Sequence, residues 1–600
     1  MKSLNLKITN TLLLLVLTSV LCILLWGIDK GFDITDEGFA MLLYKYPQEY
    51  TFTGSTFHIL GSKLFAWLNP DIITYRFLRL VFSIFAALVF SWGFWIWLRK
   101  NDFVQSHSPV NFITLSAFSV LGCLASYSLS HYIASYNAIN SHLMLVATGI
   151  LLFILSDEPQ KFFQTKISQL LLVSVGIIIA LQFFVKFSSA ISFLIVSMLL
   201  LLVYFRRLMI IVYPLIGIII GSLLYFTFFQ DYQSWLSGSV ESIKQTGSTD
   251  TYGPIPLLGK YVTHFSMISQ HLILAFLPLF LGLFLSVRLL LAYQAHQLLK
   301  KRYILIGTAI FLYIFFIYQG YHLELYKGSR LHSIYWEKSA HIYIVVLFAC
   351  LSALLALLWD NILGLFSIKK LNILGVILLL LAIPIMGMVG TNNVSSTAFV
   401  PYLTAWFALI MIFVLYLNQR VKIHLISSII IITVAFIMLS KTIDGVIYSH
   451  YRLADIRRNQ TETIEGIKAL KGIKVDIQTK QFFEKLNHII KKKTDFKEGD
   501  PILAAYDMPG IVYALGGISP GTPWYFVERK SFQKSNCEAL SRSKLPNLDR
   551  TLLLVQWKMY KEFNICMTQN LKKWGFSFFK KVGEVKSPYT NQKVQIFVPK

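Results

Sequence analysis

Residues 11–39 read TLLLLVLTSVLCILLWGIDKGFDITDEGF. They combine an apolar run, Thr11–Ile28, with the segment GFDITDEGF, 31–39, which carries three carboxylates, Asp33, Asp36 and Glu37. About 17 to 25 apolar residues in a helix cross the ~30 Å interior of a bilayer, so the run is long enough to span one. It is longer than the apolar region of a signal peptide and no small-residue cleavage site follows it, so it reads as a retained helix.

The pattern recurs along the chain. Apolar spans fall at Thr11–Ile28, Phe77–Leu98, Val110–Ser130, Ala138–Leu155, Ile167–Val185, Ala190–Phe205, Leu208–Phe229, Phe265–Val287, Tyr303–Tyr318, Ala340–Leu358, Leu371–Met388, Ala398–Leu417 and His424–Ser440, about thirteen in all by the usual hydropathy window. The 600 residues are 55% hydrophobic and 14% charged, with a mean hydropathy of +0.60. That composition excludes an ordinary water-soluble globule. The expected fold is a polytopic α-helical membrane protein, residues 1–440, carrying a C-terminal α/β domain, residues 441–600.

Orientation follows from basic residues, which resist translocation when they flank a span. Lys2 and Lys7, Arg99–Lys100, Lys161 and Lys166, Arg206–Arg207, Arg288 with Lys300 to Arg302, Lys369–Lys370, and Arg420 with Lys422 fall in alternate loops. Those loops are expected to be cytoplasmic, as is the N-terminus. Residues 29–76, the KFSS turn, 230–264, 320–338, the GTNN turn and everything after Ser440 then lie outside the plasma membrane. The formal charge of +25 is partly this signal, and tail runs such as the KKK at 491–493 suit anionic head groups rather than nucleic acid. Of the five cysteines, Cys22, Cys123 and Cys350 sit in apolar runs as small hydrophobes. Cys537 and Cys566 lie in the tail, where an oxidising exterior permits a disulfide.

The tail has its own alternation. TETIEGIKALKG and TKQFFEKLNHIIKKK read as amphipathic helices, and PILAAYD, TLLLVQWK and VQIFVP as short strands. At about 160 residues it is long enough to own a core. DMPGIVYALGGISPGTPWYF reads as its most loop-rich part. The first outer loop, 29–76, carries helical patterns in EGFAMLLYKY and TFHILGSKLFAWL, and a loop of that length in a membrane protein usually has a task.

Three groups of residues suit chemistry. Asp33, Asp36 and Glu37 cluster at the outer membrane surface, where close carboxylates removed from bulk water raise one another's pKa and make a base or cation ligand. The plainer alternative is a helix start, with Asp36 capping a helix that begins at Glu37. Lys186 in VKFSS, Arg76 and Arg79 in TYRFLRL, and Arg330 in the loop YHLELYKGSRLHSIYWEK are cations at outer helix ends, suited to a phosphate or to interfacial anchoring. His131, Tyr136 and Asn137 in SHYIASYNAIN, and Asn392–Asn393 in GTNN, are polar groups able to meet sugar hydroxyls. No Walker-type loop, HExxH, paired CxxC or GxSxG is present, which argues against ATP hydrolysis by this chain.

One span, a large outer loop opening on Asp36–Glu37, about thirteen spans and an α/β tail together resemble the GT-C superfamily of membrane glycosyltransferases. The likeness is to the bacterial branch related to protein O-mannosyltransferases and the lipid A aminoarabinose transferase. It covers the membrane portion in architecture and, in sequence, the Asp-Glu pair, the Tyr-Asn of SYN, the Lys of KFSS and the GTNN turn. The resemblance implies a sugar donor on polyprenyl phosphate and an acceptor hydroxyl on a lipid, glycan or protein. It assigns Asp36 as base with Glu37 and Asp33 in support, and leaves open a divalent metal ion. The second acidic residue some relatives carry later in the loop has only His58 and Asp71 as counterparts here. The donor phosphate is expected near Lys186, Arg79, Arg76 or Arg330, and a single displacement would invert the anomeric carbon. A transporter or flippase of lipid-linked sugars, a polysaccharide polymerase or ligase, and a non-catalytic scaffold are the competing expectations. No inverted repeat of interrupted helices favours the carrier.

Overall fold

The structure, a computed structural model, describes residues 2–50, 55–104, 110–163, 165–247, 254–294, 302–322, 341–359, 368–391, 393, 395–421, 424–448, 451–525, 536–541, 550–556 and 578–600. It is mostly helical. Eight helices among the described residues are long and apolar enough to cross a membrane: Leu6–Trp26, Ile72–Lys100, Tyr136–Ile154, Lys166–Phe205, Leu208–Phe228, Ile255–Ala292, Val400–Arg420 and His424–Tyr448. Phe112–Ser128, Ile306–Tyr318, His341–Leu357 and Asn372–Met388 are shorter apolar helices.

Lys166–Phe205 is two helices rather than one. Lys186 leaves helical geometry (φ −154°, ψ 86°), and the chain doubles back there. The ring of Phe205 packs 4.8 Å from that of Phe162, which precedes the first half. On the second half, Ser189 donates to the Met386 carbonyl at 2.8 Å. The KFSS turn is thus a hairpin at one end of the bundle.

One end of the bundle is marked by basic residues at the helix ends. Arg99–Lys100, Lys166, Arg206–Arg207 and Arg420 gather at one end, where Gln419 donates to the Asp102 carbonyl at 2.5 Å and the Tyr204 hydroxyl to that of Asp157 at 2.6 Å. The loop after the first apolar helix, the 129–135 turn, the Lys186 hairpin and the tail gather at the other.

Among its described residues the tail holds six strands: β1 (Glu462–Thr463), β2 (Lys474–Val475), β3 (Ile502–Ala505), β4 (Leu552–Gln556), β5 (Phe579–Lys586) and β6 (Lys593–Pro599). β1 and β2 form an antiparallel pair, and the others a sheet in the order β3-β4-β6-β5, parallel only between β3 and β4. Ile477–Lys493 is the amphipathic helix expected there, with Asp476 accepting from the Thr479 N–H as its cap. Two expectations are corrected. TETIEGIKALKG is not a helix but β1 and a 3-10 turn, Lys468–Leu470, because Gly466 and Gly472 take positive φ (75° and 82°) that ends helical winding. Within the supposedly loop-rich DMPGIVYALGG, Pro509–Leu515 is a helix ended by left-handed Gly516.

The first loop and the tail share one core. Phe32, Ile34, Met41, Leu42 and Leu43 from the loop pack in a single buried cluster with Phe483, Leu486, Ile502, Ile511, Val512 and Leu554 of the tail. The loop helices are Asp36–Lys45 and Phe57–Phe65, as patterned. Gly38 and Gly510 touch backbone to backbone, so that a Cβ on Gly38 would overlap the Gly510 Cα and N. The Gly510 N–H donates to the Ile34 carbonyl at 2.7 Å, the Gly31 N–H to the Lys474 carbonyl at 2.7 Å, and the Lys474 N–H to the Asp29 carbonyl at 2.7 Å.

Candidate active site

The DITDE segment leaves the first apolar helix and turns at once into the Asp36–Lys45 helix. Its three acids do different things. Glu37 is buried with Arg76, whose Nε and Nη2 donate to its two oxygens at 2.7 Å each. Arg76 also gives Nη1 to the Ile28 and Lys30 carbonyls and Nη2 to that of Gly31. All five guanidinium N–H groups therefore have protein acceptors. The Arg76 charge holds the Glu37 carboxyl below the usual range against the opposing effect of burial. The pair is a clamp on the chain as it leaves the membrane, and the expectation that Arg76 holds a donor phosphate does not fit this geometry.

Asp33 is buried as well. Its carboxylate accepts from the Thr35 N–H at 2.8 Å, the Thr35 hydroxyl at 2.6 Å and the Glu37 N–H at 3.3 Å. The helix begins at Asp36, and it is Asp33, not Asp36, that serves its first turn. Burial, reinforced by the Asp36 charge, raises the Asp33 pKa to about 7.

Asp36 is the open acid. Its side chain is 28% exposed, and one oxygen, Oδ2, accepts from the Tyr451 hydroxyl at 2.6 Å and pairs with Arg452 Nη1 at 3.0 Å. Its other oxygen takes no hydrogen bond among the described residues. Burial and the Asp36 charge push the Tyr451 phenol well up, so it stays a donor, and Asp36 keeps Arg452 charged against burial. His131 stands beside this group, its ring 6.1 Å from that of Tyr451. Burial lowers the His131 pKa to about 4, leaving the imidazole neutral near pH 7.

Arg79, about two turns inside its helix, binds the 126–133 turn. It donates to the His131 carbonyl, to Ser126 Oγ at 3.0 Å and to Ser130 Oγ at 3.2 Å, and its guanidinium lies 4.2 Å from the Tyr127 ring centre. That turn runs on into the Ser135-capped Tyr136–Ile154 helix, whose Asn137 accepts from Lys186 Nζ at 2.9 Å. Lys186 also donates to the Gly387 carbonyl at 2.6 Å and faces the Tyr136 ring at 5.7 Å. It is buried at the hairpin, and no carboxylate pairs with it among the described residues. The segment 130–137 thus has Asp36 and its partners at one end and Lys186 at the other.

The remaining candidates separate. His58 is fully buried, its ring nitrogens without hydrogen bonds, and burial takes its pKa to about 3, although the nearby Pro47 and Tyr50 carbonyls oppose this. It packs edge-on to Phe57 at 5.6 Å. Asp71 caps the Ile72–Lys100 helix through Thr74. Asn393 is exposed and its N–H donates to Thr391 Oγ1 at 3.2 Å. Arg330 and Asn392 lie outside the described residues. Cys537 is disulfide-bonded and Cys22, Cys123 and Cys350 are free thiols, while Cys566 lies outside the described residues. Among the described residues no three His, Cys, Asp or Glu side chains group as metal ligands, and with Asp33 spent on Thr35 and Glu37 the acids do not fit a metal centre.

Tyr451 and Arg452 were not singled out by sequence. The available signal was position: YRLAD leaves the last apolar helix at the same end of the bundle as DITDE leaves the first. Comparison of the chain with protein-family models, with characterised proteins and with solved structures gives no match.

Proposed function

We propose that the chain is a membrane glycosyltransferase that moves a sugar from a polyprenyl-phosphate donor to an acceptor hydroxyl at the outer face of the plasma membrane. The carrying observation is the division of labour in DITDE: Glu37 and Asp33 are committed to protein groups, while Asp36 presents an unoccupied oxygen from a carboxylate oriented by Tyr451 and Arg452. Lys186, buried without a carboxylate, supplies a cation at the same end of the bundle, and one of its three ammonium N–H groups is left for a ligand. In this reading the membrane portion has thirteen spans, with the Lys186 hairpin joining the fifth and sixth. The basic residues at the far end and the disulfide in the tail support an N-terminus inside and a tail outside.

The step is one displacement. Asp36 takes the proton of the acceptor hydroxyl, whose oxygen forms a bond to the anomeric carbon as the bond from that carbon to the phosphate oxygen breaks. The lipid phosphate leaves with the electron pair, beside Lys186. Inversion at carbon follows from a single in-line attack. The test is release of polyprenyl phosphate by the purified protein in lipid discs supplied with a panel of polyprenyl-phosphate sugars. Asp36→Asn abolishes release while the thermal unfolding curve is retained; unchanged release in that variant, or transfer of intact lipid-linked sugar between leaflets instead, overturns the reading.

A further inference from the structure

The seam between the first loop and the tail carries a second feature, separated from Lys186 by Tyr44, Phe57 and Tyr136. Tyr44 donates to the Ala134 carbonyl at 2.7 Å, and the Phe57 ring lies 5.6 Å from Tyr44 and 6.3 Å from Tyr136. On the other face of Tyr44, a cleft of about 670 Å³ is lined by Tyr44, Tyr75 and Tyr513 and by Lys63, Asp71 and Lys468. That volume suits a small ligand. Lys45 and Glu498 line it too and close on each other at 2.7 Å, joining loop to tail. Asp71 Oδ1 accepts from the Thr74 N–H and hydroxyl at 2.8 and 2.7 Å. Lys63 and Lys468 are exposed, and the Lys468 charge also acts on Glu498. With three lysines against two carboxylates in its lining, the cleft carries a net positive charge.

Its height is marked on both sides. Lys63 Nζ donates to the carbonyl of Phe228, the last residue of an apolar helix, at 3.3 Å, and Asp71 precedes the first turn of another. Beside the cleft Leu64, Trp67 and Leu68 point outward, Trp67 with 79% of its surface exposed. They continue the outward face of the Ile72–Lys100 helix, where Phe77, Val81 and Phe82 are exposed, and Phe65 packs 5.6 Å from Phe82. An indole and leucines at the level where apolar helices end belong in the interfacial zone of a bilayer. Lysines just above them attract anionic head groups.

We infer that this cleft holds the head group of an anionic phospholipid from the surrounding leaflet, its phosphate at Lys63 and Lys468 and its chains along Leu64, Trp67, Leu68 and Phe77. The inference does not rest on the transferase reading, since neither Asp36 nor Lys186 lines the cleft. The test is native mass spectrometry of the full chain in detergent, titrated with phosphatidylglycerol and with phosphatidylcholine. The wild type retains phosphatidylglycerol at least tenfold more tightly; K63E/K468E loses that preference and K63R/K468R keeps it. A second measurement needs no charge variant: brominated phosphatidylglycerol quenches the fluorescence difference between wild type and Trp67→Phe more than brominated phosphatidylcholine does. Equal retention and equal quenching for the two lipids overturn the inference. So does full retention by K63E/K468E, or displacement of the lipid by an equal concentration of soluble glycerol phosphate, which would mark a free-phosphate site.

Discussion

Glu37 and Arg76 are joined by two 2.7 Å bonds in a site that leaves each side chain 2% exposed. Asp36, next in the chain, keeps one oxygen open. Adjacent acids on one helix turn thus differ completely in role, and the difference yields the first prediction. Glu37→Ala or Arg76→Ala strands a buried charge, so each lowers stability by about 3–5 kcal/mol. Arg76→Lys does not rescue, because an ammonium cannot serve a carboxylate edge and three carbonyls together. Thermal unfolding in detergent measures both.

Asp33 predicts a pH dependence. Its carboxyl has a folded pKa of about 7 against an ordinary 3.8, so between those values the folded state binds more protons than the unfolded one. Stability from this group is present in full below about pH 4 and declines as pH rises toward 7. Asp33→Asn removes that slope, leaving unfolding temperatures flatter from pH 4 to 7 than in the wild type.

Lys186→Met separates structure from ligand binding. Removing this ammonium relieves a buried charge but strands its acceptors, Asn137 Oδ1 and the Gly387 carbonyl, so stability falls by no more than about 1–3 kcal/mol, whereas loss of phosphate binding cuts donor turnover by about 100-fold, the scale of one stabilising group aimed at developing charge. A fall in unfolding temperature with normal turnover would make Lys186 a structural peg for the hairpin.

Gly38→Ala forces a methyl into the backbone of Gly510, and Gly510→Ala forces one into the backbone of Ile34. Overpacking of this kind costs about 1–3 kcal/mol, read as a lower unfolding temperature and faster proteolytic release of the tail. Both methyls wedge the same seam between loop and tail, so the double variant is less destabilised than the sum of the singles.

The membrane class and the two loop helices were legible in sequence because hydropathy and three-to-four spacing act locally. The Ile477–Lys493 helix and strands β3, β4 and β6 were legible for the same reason. β5 was not: FKKVGEVK has few apolar residues, and it becomes a strand by pairing with β6. Asp36 was singled out as the principal acid, and the geometry distinguishes it from its neighbours; its action as a base awaits the release assay. The roles of Arg76 and Arg79 were hidden, since a guanidinium beside a membrane helix looks the same in sequence whether it meets a lipid phosphate or the carbonyls of a distant turn. Tyr451 and Arg452 needed the fold, because 415 residues separate Tyr451 from Asp36.

That separation has a consequence for how the protein is made. Tyr46 meets Gly516, 470 residues later in the chain, and part of the apolar side of the first loop is covered by the tail. On the ribosome Asp36 is made 415 residues before Tyr451. Until Tyr451 and Arg452 follow, Asp36 lacks both of its partners, and a chain interrupted before them carries the acid without the means to aim it.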